Sequence, residues 1–250
     1  MQELITNNVH LIKGDCIEVM RNIPDKSVDM ILCDLPYGTT RNKWDTIIPL
    51  DKLWEQYTRI IKDNGAIVLF AQTPFDKVLG SSNLKMLRYE WIWEKEQATG
   101  FLNAKKMPLK VHENILIFYK KLPIYNPQWG WGKPYKCAPN VFSSNYGSQR
   151  HNVTISDGRR YPKDIIKIKR KGTDRHLHPT QKPVELLKYL IKTYTNDGET
   201  ILDNCMGCGS TGQAVLEAGG NRKFIGIEIN DNYFDIAYNR INGYIQDNCM

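Results

Sequence analysis

The chain has 250 residues, of which 41% are hydrophobic and 24% are charged, and its net charge is +7 at pH 7. These values suit one large α/β domain with an insertion, and the positive charge is compatible with a polyanionic partner such as nucleic acid. No apolar run is long enough to span a bilayer, and the first residues lack the pattern of a signal peptide, so we expect no membrane association and a cytoplasmic location.

The first part of the chain alternates between apolar runs and amphipathic segments. The predicted elements are, in chain order, a strand at 9–15, a helix at 16–22, a strand at 28–33, a helix at 51–62, a strand at 66–70, a helix at 74–79 and strands at 87–95 and 113–119. This order predicts a mostly parallel sheet covered by helices on both faces, with an antiparallel edge. Ligands of such sheets bind beyond the carboxyl ends of the strands. Asp34, Leu35, Pro36 and Tyr37 directly follow the predicted strand at 28–33, so we expect them at this end of the sheet.

The composition changes between residues 96 and 175 to proline, glycine, asparagine, aromatic and basic residues, without sustained helical periodicity. Cations that contact phosphates, interleaved with rings such as Trp129, Trp131 and Tyr161, are what an insertion that reads nucleic acid requires. An ordinary solvated lobe with a small aromatic core is the alternative interpretation. The candidate nucleic-acid contacts, one of them in the polar loop after Tyr37, are Arg41, Lys105, Lys106, Arg159, Arg160, Lys169, Arg170 and Lys171.

The last part of the chain returns to an alternating order. The predicted elements are a helix at 183–191 that begins with Pro183, a strand at 200–203, a turn at 204–209, a helix at 210–218, a strand at 224–228 and a closing helix that Asp231 caps and that extends to about residue 242.

The turn at 204–209 carries a Gly-x-Gly pattern formed by Gly207 and Gly209. Glycines allow backbone amides and the positive end of the following helix to approach a ligand. Glu228 ends the next strand about twenty residues later, where a carboxylate accepts hydrogen bonds from a ribose. The combination predicts a nucleoside cofactor. NAD and S-adenosylmethionine both fit, and the absence of full G-x-G-x-x-G spacing disfavours a dinucleotide.

Two of the six cysteines, Cys205 and Cys208, have the spacing of a redox or zinc pair, and His176 and His178 lie upstream. The sequence contains no second pair of this kind, and both cysteines lie inside the glycine turn. We therefore predict no metal.

The residues Asp34-Leu35-Pro36-Tyr37 suit chemistry on an exocyclic amine of adenine or cytosine. Such an amine is a poor nucleophile because its lone pair is delocalised into the ring. Asp34 offers one acceptor for its hydrogens, and the Leu35 carbonyl, held outward by the fixed torsion of Pro36, offers a second. Tyr37 can stack on a base that has been flipped out of the duplex. Asp34 then orients and polarises the amine and is not a strong base; an ordinary Pro-Tyr turn at a strand end is the alternative.

Three segments in this order resemble the amino-group DNA methyltransferases of the permuted β type. Asp34-Leu35-Pro36-Tyr37 looks like their catalytic Asp-Pro-Pro-Tyr signature, residues 178–183 resemble the segment before the cofactor turn, and residues 203–211 resemble their Asp-Pro-Phe-x-Gly-x-Gly-Thr cofactor motif. Leu35 replaces the first proline, and Asn204-Cys205-Met206 replaces Pro-Phe-x. The resemblance covers nearly the whole chain, and the order, with the catalytic motif first and the cofactor motif last, is specific to the permuted class.

The resemblance implies a class I S-adenosylmethionine-dependent methyltransferase fold, Rossmann-like and circularly permuted. Its catalytic and cofactor-binding domain would comprise residues 1–95 and 176–250, with a target-recognition region inserted at 96–175 that could contribute in part to the core sheet. Asp15 and Cys16 would lie against the cofactor adenine, and Thr180 and Lys182 near its methionine end, with the Lys182 ammonium facing the cofactor carboxylate. The remaining predicted cofactor contacts are Asp34, Asp203, Gly207, Gly209, Ser210, Thr211 and Glu228.

The predicted function is methyl transfer from S-adenosylmethionine to adenine N6 in a specific sequence of double-stranded DNA. The leading Asp34 favours adenine, since related cytosine-N4 enzymes more often carry serine there; cytosine N4 is the first alternative. An RNA or protein methyltransferase and a DNA-binding protein without catalysis are further alternatives, whereas the absence of a hydride-transfer constellation excludes a dehydrogenase. The resemblance also implies a bacterial or phage origin, a possible homodimer and a possible cognate restriction endonuclease.

Overall fold

The computed structural model describes residues 3–38, 46–137, 142–143, 147–148, 153–169 and 181–248. Its helices are α1 (Cys16–Met20), α2 (Leu50–Ile60), α3 (Phe75–Ser82), α4 (Val184–Tyr194), α5 (Ser210–Ala218) and α6 (Asp231–Asn248). Its strands are β1 (Glu3–Ile5), β2 (Val9–Lys13), β3 (Val28–Cys33), β4 (Ile61–Ala71), β5 (Leu87–Thr99), β6 (Lys110–Phe118), β7 (Gly130–Trp131), β8 (Tyr135–Cys137), β9 (Phe142–Ser143), β10 (Gly147–Ser148), β11 (Thr154–Ser156), β12 (Arg159–Arg160), β13 (Ile165–Lys167), β14 (Thr200–Asp203) and β15 (Lys223–Glu228).

The central strands are apolar along their whole length because both faces of the sheet are covered. In β3, Met30 and Leu32 belong to a core shared with α4, α5 and α6, whereas Ile31 and Cys33 belong to a core shared with α1, α2 and α3. Successive side chains of a strand point to opposite faces, so an uninterrupted apolar run is the pattern of a strand covered on both sides. The predicted helical layers on both faces are confirmed.

The large sheet has the strand order β1-β2-β15-β14-β3-β4-β6-β5-β13 within the described residues. The strands from β2 to β4 in this order are mutually parallel, β6 is antiparallel to both β4 and β5, and β1 is antiparallel to β2. The chain leaves β3 towards β4 on one side and leaves β14 towards β15 on the other. A crevice therefore opens between the carboxyl ends of β3 and β14, where such sheets bind ligands.

Residues Pro127–Lys163 form a separate compact unit, and Met1–Asn126 with Asp164–Met250 form the other. The smaller unit contains the antiparallel pairs β7 with β12, β8 with β11 and β9 with β10. In it, the Trp129 and Tyr161 rings lie 4.4 Å apart between centroids, and the guanidiniums of Arg159 and Arg160 lie over Trp129 and Tyr135. Strands β6 and β13, both within the predicted insertion at 96–175, belong to the large sheet.

Several predicted element boundaries differ from the structure. Pro183 has an extended backbone (ψ 131°) and precedes α4 instead of forming its first residue. The Asn230 side chain accepts a hydrogen bond from the Tyr233 amide at 3.2 Å and so caps α6, which the sequence assigned to Asp231. The helix continues to Asn248, beyond the predicted end near residue 242. None of the helices in the described part of the chain is long and apolar enough to cross a membrane.

Candidate functional site

A cavity of about 720 Å³ lies at the carboxyl ends of the parallel strands. It joins the motif after β3 to the glycine turn after β14 and to the acid that ends β15. The predicted catalytic and cofactor residues that line it are Asp15, Cys16, Asp34, Leu35, Pro36, Tyr37, Lys182, Asp203, Gly207, Ser210, Thr211 and Glu228. Gly209 is outside the lining, and Thr180 lies outside the described residues.

The carboxylate of Asp34 is held from two sides. Its Oδ1 accepts a hydrogen bond from the Tyr37 hydroxyl at 2.6 Å, and its Oδ2 pairs with the ammonium of Lys182. The Tyr37 ring stacks on Phe75 with centroids 5.2 Å apart. Burial, together with the nearby charge of Asp34, raises the pKa of Tyr37, so its hydroxyl remains a proton donor at neutral pH. Asp34 is thus an oriented acceptor at the cavity wall.

Lys182 links Asp34 to a second buried acid. Its Nζ lies 3.2 Å from Oε2 of Glu113, which also pairs with Lys95. Burial opposes the charge of Lys182, but the carboxylates of Asp34 and Glu113 raise its pKa above the ordinary value. Burial likewise opposes ionisation of Glu113, yet Lys182 and Lys95 lower the pKa of Glu113 to about 2. Four alternating charges, Lys95–Glu113–Lys182–Asp34, therefore form one chain of ion pairs, which we call the charge chain.

The charge chain contains two residues that the motifs did not indicate. Glu113 and Lys95 lie on the neighbouring strands β6 and β5, far in sequence from both Asp34 and Lys182. The one available signal was an acid at the start of the predicted strand at 113–119, two residues before an apolar run, where a buried charge is costly unless a cation neutralises it. The sequence predicted that Lys182 faces the cofactor carboxylate, whereas in the structure its ammonium contacts Asp34 and Glu113.

Asp203 holds the glycine turn through two hydrogen bonds. Its Oδ2 accepts from the Thr211 hydroxyl at 2.6 Å, and its Oδ1 accepts from the Cys205 amide at 3.1 Å. Burial raises the pKa of Asp203 to about 6, although these two hydrogen bonds oppose the shift. The next residue, Asn204, accepts at Oδ1 from the Tyr57 hydroxyl at 2.5 Å. Tyr57 is a further residue that the sequence did not assign to the site.

Glu228 fixes the other side of the turn. Its Oε2 accepts from the Gly207 amide at 2.9 Å, and its Oε1 accepts from the Asn230 amide at 2.8 Å. Its carbonyl accepts from the Gly14 amide, which places Asp15 and Cys16 beside it. Asp15 caps α1 by accepting from the amides of the following turn. Burial raises the pKa of Glu228.

The turn depends on backbone conformations that glycine adopts readily. Gly209 has φ +76°, and a Cβ at this position would lie 3.0 Å from the Ala237 Cβ. We expect Gly209→Ala to lower the free energy of unfolding by about 1–3 kcal/mol, because both the left-handed backbone and the contact with α6 are strained. The matched control is Gly243→Ala, which has open space around the new methyl and should raise stability by roughly 0.5–1 kcal/mol. Urea denaturation measures both, and equal stability of the two variants would contradict the expectation.

The cysteines of the turn point in different directions. Burial raises the pKa of Cys208, whose thiol donates to Gln181 Oε1 at 3.0 Å. Cys205 instead lies with Cys16 and Cys33, and its hydrogen bond with Cys16 is the largest influence that lowers the pKa of Cys16. Within the part of the chain that the structure describes, no group of three or more His, Cys, Asp or Glu side chains is arranged to hold a metal ion.

The candidate nucleic-acid contacts that the structure describes are divided between the two units. Lys105 and Lys106 are exposed at the tip of the β5–β6 hairpin, and Arg159 and Arg160 lie in the smaller unit. Lys169 forms an exposed ion pair with Glu96 at 2.9 Å, which contributes little to stability. Three of the predicted contacts, Arg41, Arg170 and Lys171, lie outside the described residues.

Acids outnumber bases in the cavity wall. Five acidic residues line it against two lysines, and Asp34 and Glu113 are already paired with those lysines. The wall therefore suits a ligand with positive charge and hydroxyl donors near Asp15, Asp203 and Glu228. A nucleoside bearing a cationic group meets both requirements.

Comparisons with known proteins place these features in context. A family model described as a DNA methylase matches residues 28–239. The chain is 28% identical over 253 residues to DNA adenine methyltransferase YhdJ of Escherichia coli strain K12, covering 92% of this chain and 82% of that protein. The M1.HpyAVI–SAM complex matches with a TM-score of 0.65 and 24% identity, over 94% of this chain and 99% of that one. PvuII DNA methyltransferase, which is cytosine-N4-specific, matches with a TM-score of 0.70 and 14% identity, over 96% of this chain and 90% of that one.

Proposed function

The chain belongs to the DNA methylase family, and we propose that it transfers a methyl group from S-adenosylmethionine to N6 of an adenine in DNA. Its fold is the class I methyltransferase fold that the sequence predicted, and the likeness to solved DNA methyltransferases extends over nearly the whole chain. The observation that carries the proposal is a single cavity that joins Asp34, at the end of β3, to the glycine turn and Glu228.

The residues of the cavity fit S-adenosylmethionine. The acidic lining suits the positive sulfonium, and the proposed acceptor for the ribose hydroxyls is Glu228, at the end of the strand after the glycine turn. Asp15 and Cys16 lie beside Glu228 and form the wall proposed for the adenine. The cofactor supplies an activated methyl group on a cationic sulfur.

Asp34 and the Leu35 carbonyl are the proposed acceptors for the two hydrogens of the target amine. Holding both hydrogens favours a more tetrahedral nitrogen, whose lone pair is then available to the methyl carbon. A fixed ionised acceptor beside the reacting nitrogen also stabilises the positive charge that develops there. The proton leaves only after the nitrogen has become cationic, so Asp34 needs no raised basicity.

The charge chain implies a change of partner during the reaction. Lys182 and Tyr37 occupy both carboxylate oxygens of Asp34, so the amine competes with the ammonium for the same acceptor. Glu113 already contacts Lys182 at 3.2 Å and would keep a partner for its ammonium. We propose that Lys182 shifts towards Glu113 and the cofactor carboxylate when cofactor and base are bound, which releases Asp34 for the amine.

Adenine is favoured over cytosine as the target. The DNA adenine methyltransferase of Escherichia coli aligns with 92% of this chain, and Asp34 is the residue type that the resemblance associates with adenine. The similarity to the cytosine-N4-specific enzyme, at 14% identity, concerns the fold alone. The bacterial or phage origin, the homodimer and the cognate endonuclease rest only on the resemblance of the sequence motifs, and the cytoplasmic location rests only on the hydropathy pattern of the sequence.

The decisive experiment is expression in a host without DNA methylation, followed by single-molecule sequencing of the host DNA. We expect N6-methyladenine at one repeated sequence motif, and no modification in a culture that expresses the Asp34→Ala variant. N4-methylcytosine at the motif would change the assigned target. Unmodified DNA despite stable, folded protein would refute DNA methylation and direct the search to RNA.

A further inference from the structure

The hairpin between β5 and β6 carries apolar side chains at its tip with no partner in the large sheet's cores. Phe101 is 70% exposed, Leu102 is fully exposed and Met107 is 52% exposed. Single exposed apolar residues are common on protein surfaces. Three within seven positions at the end of one hairpin form a concentrated apolar tip, which we call the hairpin tip (100–109).

The hairpin tip is an ordered turn. Gly100 has φ +90° and precedes a short 3₁₀ turn at Phe101–Asn103. The amides of Lys106 and Met107 donate to the Asn103 carbonyl at 2.8 and 3.0 Å. The backbone thus closes on itself and presents Phe101 and Leu102 outwards from a fixed position.

The hairpin tip extends beyond the end of the sheet at which the cavity lies. Asn114 of β6 pairs with Ala71, the last residue of β4. At roughly 3.3 Å per residue, Lys110 at the start of β6 lies about 13 Å beyond the end of β4. Thr99, directly before the tip, and Lys95, four residues earlier, both line the cavity. The Lys110 ammonium donates to the Thr73 carbonyl at 3.3 Å, which fastens the base of the hairpin at the cavity rim.

The positive charge of the hairpin tip and its flanking residues favours a polyanionic partner. No acidic residue occurs between Glu96 and Glu113, whereas Lys105, Lys106 and Lys110 do. Apolar side chains flanked by exposed cations match a surface that offers phosphates outside and stacked bases inside. Proteins that distort duplexes insert Phe, Leu or Met between base steps in this way, while cations contact the backbone.

We propose that the hairpin tip is a DNA wedge in which Phe101 and Leu102 enter the base stack beside the target nucleotide and Lys105 and Lys106 contact the flanking phosphates. The proposal rests on the proposed function, since it assigns a step that delivers a base to the cavity. A base must leave the stack to reach Asp34, and the wedge would fill the space that it vacates.

The test uses the full-length Phe101→Ala/Leu102→Ala variant and two duplexes that contain the sequence motif mapped in the host. In one duplex the target adenine is paired, and in the other it lies opposite an abasic site. Because the unpaired base is already easy to extrude, the wedge should matter only for the paired duplex. We expect kcat/KM to fall roughly tenfold or more on the paired duplex and less than about threefold on the abasic one.

Two further variants serve as controls. Leu84→Ala/Leu122→Ala removes two exposed leucines that flank the ends of β5 and β6 opposite the hairpin tip, and it should change neither rate. Lys105→Ala/Lys106→Ala should weaken the binding of both duplexes equally. It should also reduce the slope of log K against log salt concentration by about 2, as expected for two lost phosphate contacts.

The outcomes separate the wedge from its competitors. Equal losses on the two duplexes, or none on the paired one, would overturn the wedge. A Phe101→Ala/Leu102→Ala protein that sediments as a smaller species than the wild type would show instead that the hairpin tip joins two copies of the chain. A wild type that methylates neither duplex would refute the proposed function itself.

Discussion

Replacing Asp34 by alanine is expected to lower the rate of methyl transfer by roughly two to three orders of magnitude, by analogy with the loss of one fixed electrostatic group from an active site. The variant loses the only acidic acceptor at the end of β3. The amine hydrogens would then be held by the Leu35 carbonyl alone, and the nitrogen would keep more of its planar, unreactive character. Cofactor affinity should change only slightly, because Glu228 and the glycine turn are untouched.

Two conservative variants make this expectation sharper. Asp34→Asn keeps one acceptor oxygen but loses the charge. Its rate of methyl transfer should lie between those of the wild type and Asp34→Ala. Tyr37→Phe keeps the ring stacked on Phe75 and removes the hydroxyl that donates to Asp34 at 2.6 Å. Single-turnover methylation of DNA and calorimetric binding of the cofactor separate chemistry from affinity. Full activity of Asp34→Ala would remove Asp34 from the mechanism.

The second large effect is expected at Lys182. Lys182→Met leaves Glu113 with Lys95 as its one remaining partner in the charge chain and leaves Asp34 with the Tyr37 hydroxyl. Removing one member of a buried ion pair typically costs about 3–5 kcal/mol, because the other charge stays buried without compensation. We expect a loss of this size in the free energy of unfolding at pH 7, measured by urea denaturation.

The matched controls for this loss are the single variant Glu113→Gln and the double variant Lys182→Met/Glu113→Gln, which complete a double-mutant cycle. Because the double variant removes both members of the Lys182–Glu113 pair, it should lose less than the sum of the two single losses, and the difference measures the coupling between the two side chains. If the double variant lost the sum of the two single losses, Lys182 and Glu113 would be energetically independent and the charge chain would be wrong.

The same pair gives a pH dependence whose sign follows from Glu113. Its pKa in the folded protein, about 2, lies below the ordinary 4.5. Its contribution to stability is therefore complete above pH 4.5 and is lost as the pH falls from 4.5 towards 2. The difference in the free energy of unfolding between the wild type and Lys182→Met should accordingly shrink as the pH falls from 7 to 3. A difference that did not change with pH would show that Lys182 stabilises the fold by packing and not by its charge.

Local patterns predicted much of the fold. The apolar run of β3 and the helical spacing of Leu53, Trp54, Tyr57 and Ile60 in α2 each reflect burial on known faces, because strands and helices repeat with fixed periods. The β–α order then required a parallel sheet with its ligand site at the carboxyl edge. Asp34, Gly207 and Glu228 could be placed at that edge from sequence alone, since each follows or ends a predicted strand.

The partners of buried charges could not be predicted in this way. Asp34 and Lys182 are separated by 148 positions, and Glu113 reaches them only because β6 is inserted into the sheet beside β4. A sequence window shows that a charge is present, but not which distant charge neutralises it once water has been excluded. The same limit applies to the hairpin tip, whose apolar residues resemble core residues until the fold leaves them exposed beside the cavity.

The sequence by itself therefore determined the layers, the edge that holds the site and the positions of Asp34 and the glycine turn at that edge. These depend on short-range periodicity, on strand ends and on glycine conformation. Only the tertiary structure decided that Lys182 neutralises Asp34 and Glu113, and that the β5–β6 hairpin projects from the cavity rim. These depend on which strands become neighbours, because a buried charge is stabilised by whatever the fold brings within a few ångströms of it.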